Sequence, residues 1–347
     1  MKQKANSGLR AVALCASIFA MTAFGRSAHA LVIDPLFDAS VTTSEQQVID
    51  GAISTYETMF SNPTTVDIEF MTGTSGGGTS LASDYVAPYA TYTSWLGHNA
   101  ANGGGYDAIT AYNSLSYGNK AQQVLFTSAD GRALGCPNCV GSVAGEGSIS
   151  SSTLLDGIVT VGDGYYGNGA QVVYHEIDEV LGIGGQGSVL QASMTATPPV
   201  INGETTIGAM DLFRYSAPGT PSLTNSTSAS SYFSINGGTS DIVAFNQSGT
   251  GDYGDWAASG QGCYIQTYEV CSNPMALSPS SPEGVAMQAI GYDVSTSQQV
   301  PEPSSLSIFL AGVAMLTTIS TRKAKSQWKQ RAAANIDDCD ANDCNKA

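Results

Sequence analysis

The chain has 347 residues, with 29 acidic side chains against 13 basic ones and a formal net charge of −16. Between residues 31 and 299 the imbalance is steeper, with 24 Asp and Glu facing only Lys120, Arg132 and Arg214. This argues against nucleic acid or anionic membrane as a partner, because displacing counterions from a polyanion takes Lys and Arg. It suits Ca²⁺, which takes several carboxylate and carbonyl oxygens, and it equally suits a plain acidic exported surface.

Lys2, Lys4 and Arg10 make a basic start, residues 11–24 are apolar and uncharged, and Ala28-His29-Ala30 gives a small-x-small cleavage pattern. An apolar run this short spans a bilayer poorly as a permanent anchor. The expectation is a signal peptide over residues 1–30 and an exported chain that starts at Leu31, with no pro-segment.

Residues 31–299 suffice for one domain with its own core, and no internal linker or repeat interrupts them. Leu31-Val32-Ile33 reads as a short strand. Val48, Ile49, Ala52, Ile53, Tyr56, Met59 and Phe60 recur at helical spacing, predicting a helix over 43–60, with Thr43 or Ser44 and Gln46 or Gln47 as a capping box. Val66, Ile68 and Phe70 alternate with Asp67 and Glu69, the pattern of a half-buried strand. This is a β-α-β opening. Further strands are expected at 123–127 and 157–161.

Cys136 and Cys139, and Cys263 and Cys271, form two local pairs. In an oxidising compartment two structural disulfides are the default, ahead of a four-cysteine zinc knot or a redox-active pair.

Asn168 to Gly182 predicts a second amphipathic helix, with Asn168 as cap, Val172, Val173, Ile177, Val180 and Leu181 as its apolar side, and glycines ending it. It carries His175-Glu176-Ile177-Asp178-Glu179. Residues i and i+4 share a helical face, so His175 and Glu179 can grip one metal ion together. Glu176 lies beside them, placed to act as general base on a water. This is the geometry of an HExxH zinc-peptidase helix with Glu in place of the second His. Beyond it the chain is loop-rich, with acidic–aromatic patches such as Asp252-Tyr253-Gly254-Asp255-Trp256, and a last short helix is predicted over 282–290. The fold class is therefore α+β, with a mixed twisted sheet, and not a β-sandwich.

On these motifs the chain resembles the metzincin side of the zincin metallopeptidases, most of all exported bacterial metalloprotease-like proteins with an HEIxEVxG motif. The likeness is strongest near residues 31–71, 172–182 and 210–216. It implies a zincin-like catalytic domain over 31–299, His175 and Glu179 as Zn²⁺ ligands, Glu176 as general base, and Gly182 as the turn after the helix. It also implies a methionine turn under the metal, a place Met275 holds in chain order. A metzincin has its third ligand as His at position 185, where this chain has Gly185, and only His98 and His175 remain after residue 30. Other zincins take an acidic third ligand from downstream, which points to Asp211 in Met210-Asp211-Leu212-Phe213-Arg214, with His98 as its rival and Asp178 and Tyr215 behind them. Extra carboxylates make the bound water less acidic than an all-histidine site would, so the ion can also be one harder than zinc.

At the other end, Val300-Pro301-Glu302-Pro303-Ser304 precedes an apolar stretch, Leu306 to Ile319, and a basic cluster, Arg322, Lys323, Lys325, Lys329 and Arg331. A stiff hinge, a short span and a positive stop stand in the order the positive-inside rule demands. Residues 300–331 resemble the PEP-CTERM sorting signal. That resemblance implies transient anchoring in the inner membrane, processing by an exosortase, and release to the surface or exopolysaccharide matrix of a Gram-negative bacterium. A cytoplasmic tail, 332–347, with Cys339 and Cys344, follows. Two functional readings remain. One is a secreted peptidase acting on proteins or peptides. The other is a non-catalytic acidic surface or matrix protein that keeps the scaffold; a plainer version of the chain has Ca²⁺ held by loop carboxylates for stability alone.

Overall fold

Thr42 takes the cap of the first helix: its hydroxyl accepts from the backbone N–H of Glu45, and the Glu45 carboxylate accepts from the N–H of Thr42 at 2.7 Å. The capping box thus sits one residue before the position the sequence predicts, with Glu45 rather than a glutamine closing it. In the computed structural model this helix, α1 (Thr43–Met59), joins two parallel strands, β1 (Val32–Phe37) and β2 (Thr65–Gly73), so the β-α-β opening is present. Glu69 departs from the half-buried pattern, being fully buried. The structure describes residues 31–295 apart from Ser75, 117–120, 168–169, 192, 195–197 and 258–261. The signal-peptide and sorting segments, Asn168 and Lys120 lie outside the described residues. No helix among those described is long and apolar enough to cross a membrane.

The fold is α+β, with six α-helices and several sheets among the described residues. The first sheet holds β1, β2, β8 (Gly157–Gly162) and β3 (Gly78–Ala82) in the spatial order β1-β2-β8-β3. Only β3 runs antiparallel, and it forms one edge, with β1 at the other. The second sheet runs β4 (Asp84–Pro88), β5 (Gln123–Thr127), β10 (Glu204–Gly208), β9 (Val200–Ile201). A third, fully antiparallel, joins β12 (Thr220–Pro221), β11 (Arg214–Ala217), β13 (Tyr232–Phe233) and β14 (Val243–Ala244). The strands β6 (Val143–Ala144) and β7 (Leu154–Leu155) pair by themselves.

Helices α2 (Tyr89–Asn102) and α3 (Tyr106–Asn113) fill a stretch in which the sequence announces no element. Tyr92, Leu96 and Ala100 of α2 make a buried stripe four residues apart, but the Thr, Ser and Gly between them are weak helix formers. A short α4 (Ser128–Ala133) follows β5, and α6 (Pro282–Ile290) closes the fold where expected, capped by the Ser281 hydroxyl. Both disulfides are formed, Cys136–Cys139 and Cys263–Cys271.

Helix α5 (Gln171–Leu181) is the element that matters for the site. Val172, Val173, Ile177, Val180 and Leu181 are all buried, each worth roughly 1.5–3 kcal/mol against leaving it in water. The helix packs on β8 and β3. Glu176 lies so close to Gly78 that a side chain on Gly78 would collide with its carboxylate. On the other side the Tyr56 hydroxyl of α1 sits 2.9 Å from the Tyr174 carbonyl and 2.8 Å from Asp178. Gly182 ends α5 at φ 112, in the left-handed region that favours glycine.

Candidate metal centre

Gln171, His175 and Glu179 stand at successive i, i+4 positions of α5 and, with Glu176, line a cleft of about 440 Å³. One wall of the cleft is the outer edge of β3, residues 78–80. The other comes from two loops that carry Asp252 with Asp255 and Thr267 with Tyr268.

At the floor, the imidazole Nε2 of His175 lies 3.7 Å from Glu179 Oε1 and 3.7 Å from Asp255 Oδ2. One ligand atom from each of the three residues lies within 4.8 Å of the other two, spacing that can hold one metal ion. His175 Nδ1 is 3.3 Å from the Ile265 carbonyl, an acceptor that keeps a proton on Nδ1 and turns Nε2 toward the carboxylates. Glu179 is held from two sides, by the Ser80 hydroxyl at 2.5 Å and by the Gly185 backbone N–H at 2.9 Å. Both bonds aim its carboxylate at His175.

The third carboxylate beside His175 is Asp255, not Asp211. Asp211 sits in a 3₁₀ turn (Met210–Phe213), and its oxygens accept from the Ser188 hydroxyl at 2.7 Å, Gly208 N–H at 2.9 Å and Val189 N–H at 3.1 Å. A carboxylate so occupied holds a turn together. The rivals are elsewhere too. His98 is exposed on α2 and bonded to Asn102, Asp178 points to Tyr56, and the Tyr215 hydroxyl donates to the Ser114 carbonyl. Met275 is 53 % exposed and does not line the cleft, so it does not form a methionine turn under His175.

Asp255 is brought in by its neighbours. Trp256 is buried, donates its indole N–H to Glu283 and its backbone N–H to the Gln266 carbonyl. Arg214, itself buried over the Phe245 ring, donates to the Tyr253 carbonyl. Gly254 passes so close to the Gly184 carbonyl that any side chain there would overlap it. The sequence marks this stretch only as an acidic–aromatic patch. Two aspartates flanking Tyr-Gly, in a chain short of histidine, are the signal that could have nominated it.

The charge balance of the cleft is one-sided. Arg132 is paired with Asp156 at 2.6 Å and Arg214 is committed as above, so neither described Lys or Arg reaches the four acids Glu176, Glu179, Asp252 and Asp255. Burial, then the negative charge of Glu179, pushes Glu176 up to about 9. Burial likewise raises Asp255 to about 7, even with His175 beside it, and raises Glu179. Burial would lower His175, but Asp255, Glu179 and Glu176 together outweigh it and lift the imidazole to about 9. Buried carboxylates that outnumber the single imidazole among them, with no described Lys or Arg in reach, are neutralised by protons or by a metal ion.

The donor set, one imidazole nitrogen and two carboxylates, is one that could hold a divalent metal ion. No protein-family model matches the chain, and neither a curated protein nor a solved structure matches it.

Proposed function

We propose that the chain is an exported, metal-dependent peptidase of the zincin type, with His175, Glu179 and Asp255 holding the ion and Glu176 as general base. The observation that carries this is the convergence of those three donors on one point of a cleft that holds three buried carboxylates and no described Lys or Arg. Zinc is the ion the helix motif implies.

A divalent ion there supplies Lewis acidity to a substrate carbonyl and eases deprotonation of a water. The chain's own residues do the rest. The outer edge of β3 carries no partner strand among the described residues, so an extended peptide can pair with Gly78, Thr79 and Ser80 and be laid across α5. Glu176 takes a proton from the attacking water, whose oxygen bonds to the peptide carbonyl carbon. The proton then passes to the amine nitrogen as the C–N bond breaks. A dication beside Glu176 lowers its pKa, as base action near neutral pH requires. The two intrachain disulfides suit an oxidising compartment outside the cytoplasm. The sorting-type C-terminus suits exosortase processing and retention in a surface matrix.

The test is Glu176→Gln in the full chain, measured for peptide hydrolysis and for bound metal by elemental analysis. Hydrolysis should fall by about a hundredfold or more with metal content unchanged. Equal hydrolysis by the variant rules out the mechanism. Absence of any transition metal from the purified wild type at neutral pH would leave only the acidic surface protein.

A further inference from the structure

Gln266 is fully buried, yet its amide is turned toward two of the three donors, His175 and Asp255. Nε2 lies 3.2 Å from His175 Nε2 and 3.0 Å from Asp255 Oδ1. When the imidazole carries a single proton, on Nδ1, its Nε2 is an acceptor within reach of that amide N–H. The other end of the amide, Oε1, is buried without any hydrogen-bond partner, a costly arrangement for a carbonyl oxygen.

The residue around that amide is firmly held. Its backbone N–H donates to Glu283 Oε1 at 3.1 Å, and its carbonyl accepts from Trp256 N–H at 2.8 Å. A side chain on Gly184 would overlap the Gln266 amide, so the space there exists only because residue 184 has none. The Cys263–Cys271 bridge closes the loop. Gln171, one helical turn before His175, accepts from Cys271 N–H at 2.9 Å and donates to the Tyr264 carbonyl at 3.2 Å. An amide on so rigid a mount serves a particular atom.

We infer that Gln266 is a fourth protein donor to the cation, binding through Oε1 once its amide rotates half a turn. The inference rests on the assignment of His175, Glu179 and Asp255 as the cation site. An ion on His175 Nε2 occupies the lone pair that the amide N–H would need and repels the positive end of the amide dipole. Half-turn rotation about the last side-chain torsion, which is broad and nearly two-fold, places an oxygen where the N–H was. The resulting set, one nitrogen and three oxygens, shifts preference toward ions that accept oxygen ligands, Mn²⁺ alongside Zn²⁺.

Titration of Zn²⁺ and of Mn²⁺ into the chelator-treated full chain tests this, with Gln266→Leu, Gln266→Glu and His175→Ala beside wild type. Melting curves without metal verify that each variant folds. Gln266→Leu should weaken affinity about tenfold or more, while Gln266→Glu, which offers an oxygen but no N–H, should bind as tightly as wild type or tighter. The visible spectrum of the Co²⁺-loaded protein should change between wild type and Gln266→Leu. Should Gln266→Glu bind as weakly as Gln266→Leu, the amide acts through its N–H and the inference fails. Affinity and Co²⁺ spectrum unmoved by Gln266→Leu, with His175→Ala still abolishing binding, would overturn this inference alone. A wild type that binds neither ion overturns the site itself. Should Gln266→Leu not fold, the wild-type Co²⁺ spectrum against that of Gln266→Glu decides, since a replaced ligand shifts it and a distant residue does not.

Discussion

Gly185 donates its backbone N–H to Glu179 across 2.9 Å, from a position where a side chain would strike that same carboxylate oxygen and the carboxylate of Asp252. The two residues form one unit. With Glu at 179 in place of a histidine, the carboxylate needs a donor to aim it, and the chain supplies one from a backbone with nothing attached. A larger residue at 185 does not fit beside Glu179 unless the carboxylate moves.

Gly185→Ala should keep the fold, since residue 185 does not have a positive φ, but should push Glu179 aside. Metal affinity is expected to fall about ten- to a hundredfold, as for the loss of a group that orients a ligand. Competition against a chelator of known affinity measures it, and an unchanged constant would show that Glu179 is not a ligand.

Asp255 and Asp211 should separate cleanly. Asp255→Asn removes a charge from the cleft and is expected to abolish stoichiometric metal binding while leaving the metal-free melting temperature equal or higher. Asp211→Asn keeps metal stoichiometry but loses charge-assisted bonds to Ser188, Gly208 and Val189, a loss of about 1.5–3 kcal/mol of stability. The reverse pattern would restore Asp211 as the ligand.

The metal-free protein should become less stable as pH rises. Glu176 and His175 are each raised to about 9, from ordinary values of 4.5 and 6.5, and Asp255 to about 7 from 3.8. A group raised on folding holds a proton that the unfolded chain has released. Its contribution is therefore complete below the unfolded value and is lost as pH climbs through the folded one. In chelator the melting temperature should fall between about pH 5 and pH 9, and saturating divalent ion should flatten the fall, because the ion replaces the protons. A melting temperature that climbs with pH in chelator would contradict the burial of these groups.

Cys263 and Cys271 close a short loop that carries Ile265 and Gln266 against His175. Replacing both with Ser should cost about 2–3 kcal/mol by loop entropy. It should also weaken metal binding, because the Ile265 carbonyl that fixes the imidazole loosens. Loss of stability with affinity untouched would make the bridge a simple staple.

Local pattern carried a good part of this protein. Helix α6 and strand β5 lie where the residues place them, and α1 and β8 match to within a residue, because each has a clear apolar period and a recognisable end. His175 and Glu179 share a helical face for the same reason: the i, i+4 relation needs nothing beyond the helix itself. The stretch from Asp84 to Asn113 did not announce itself, since β4 is short and α2 and α3 rely on tertiary burial of narrow stripes rather than on propensity.

The sequence alone determined the secondary-structure class, the disulfide partners and the pair of helix residues at the centre of the site. All of these depend on neighbours within about ten positions. Which distant carboxylate joins His175 was decided only by tertiary structure. Asp255 is 80 positions away, and it arrives because Trp256 is buried, Arg214 grips the Tyr253 carbonyl, and Gly184 and Gly254 let two backbones touch. Asp211, closer in sequence, is drawn off by Ser188 and two backbone N–H groups. A carboxylate goes to whichever donors the packing brings within reach, and the packing is a property of the whole fold.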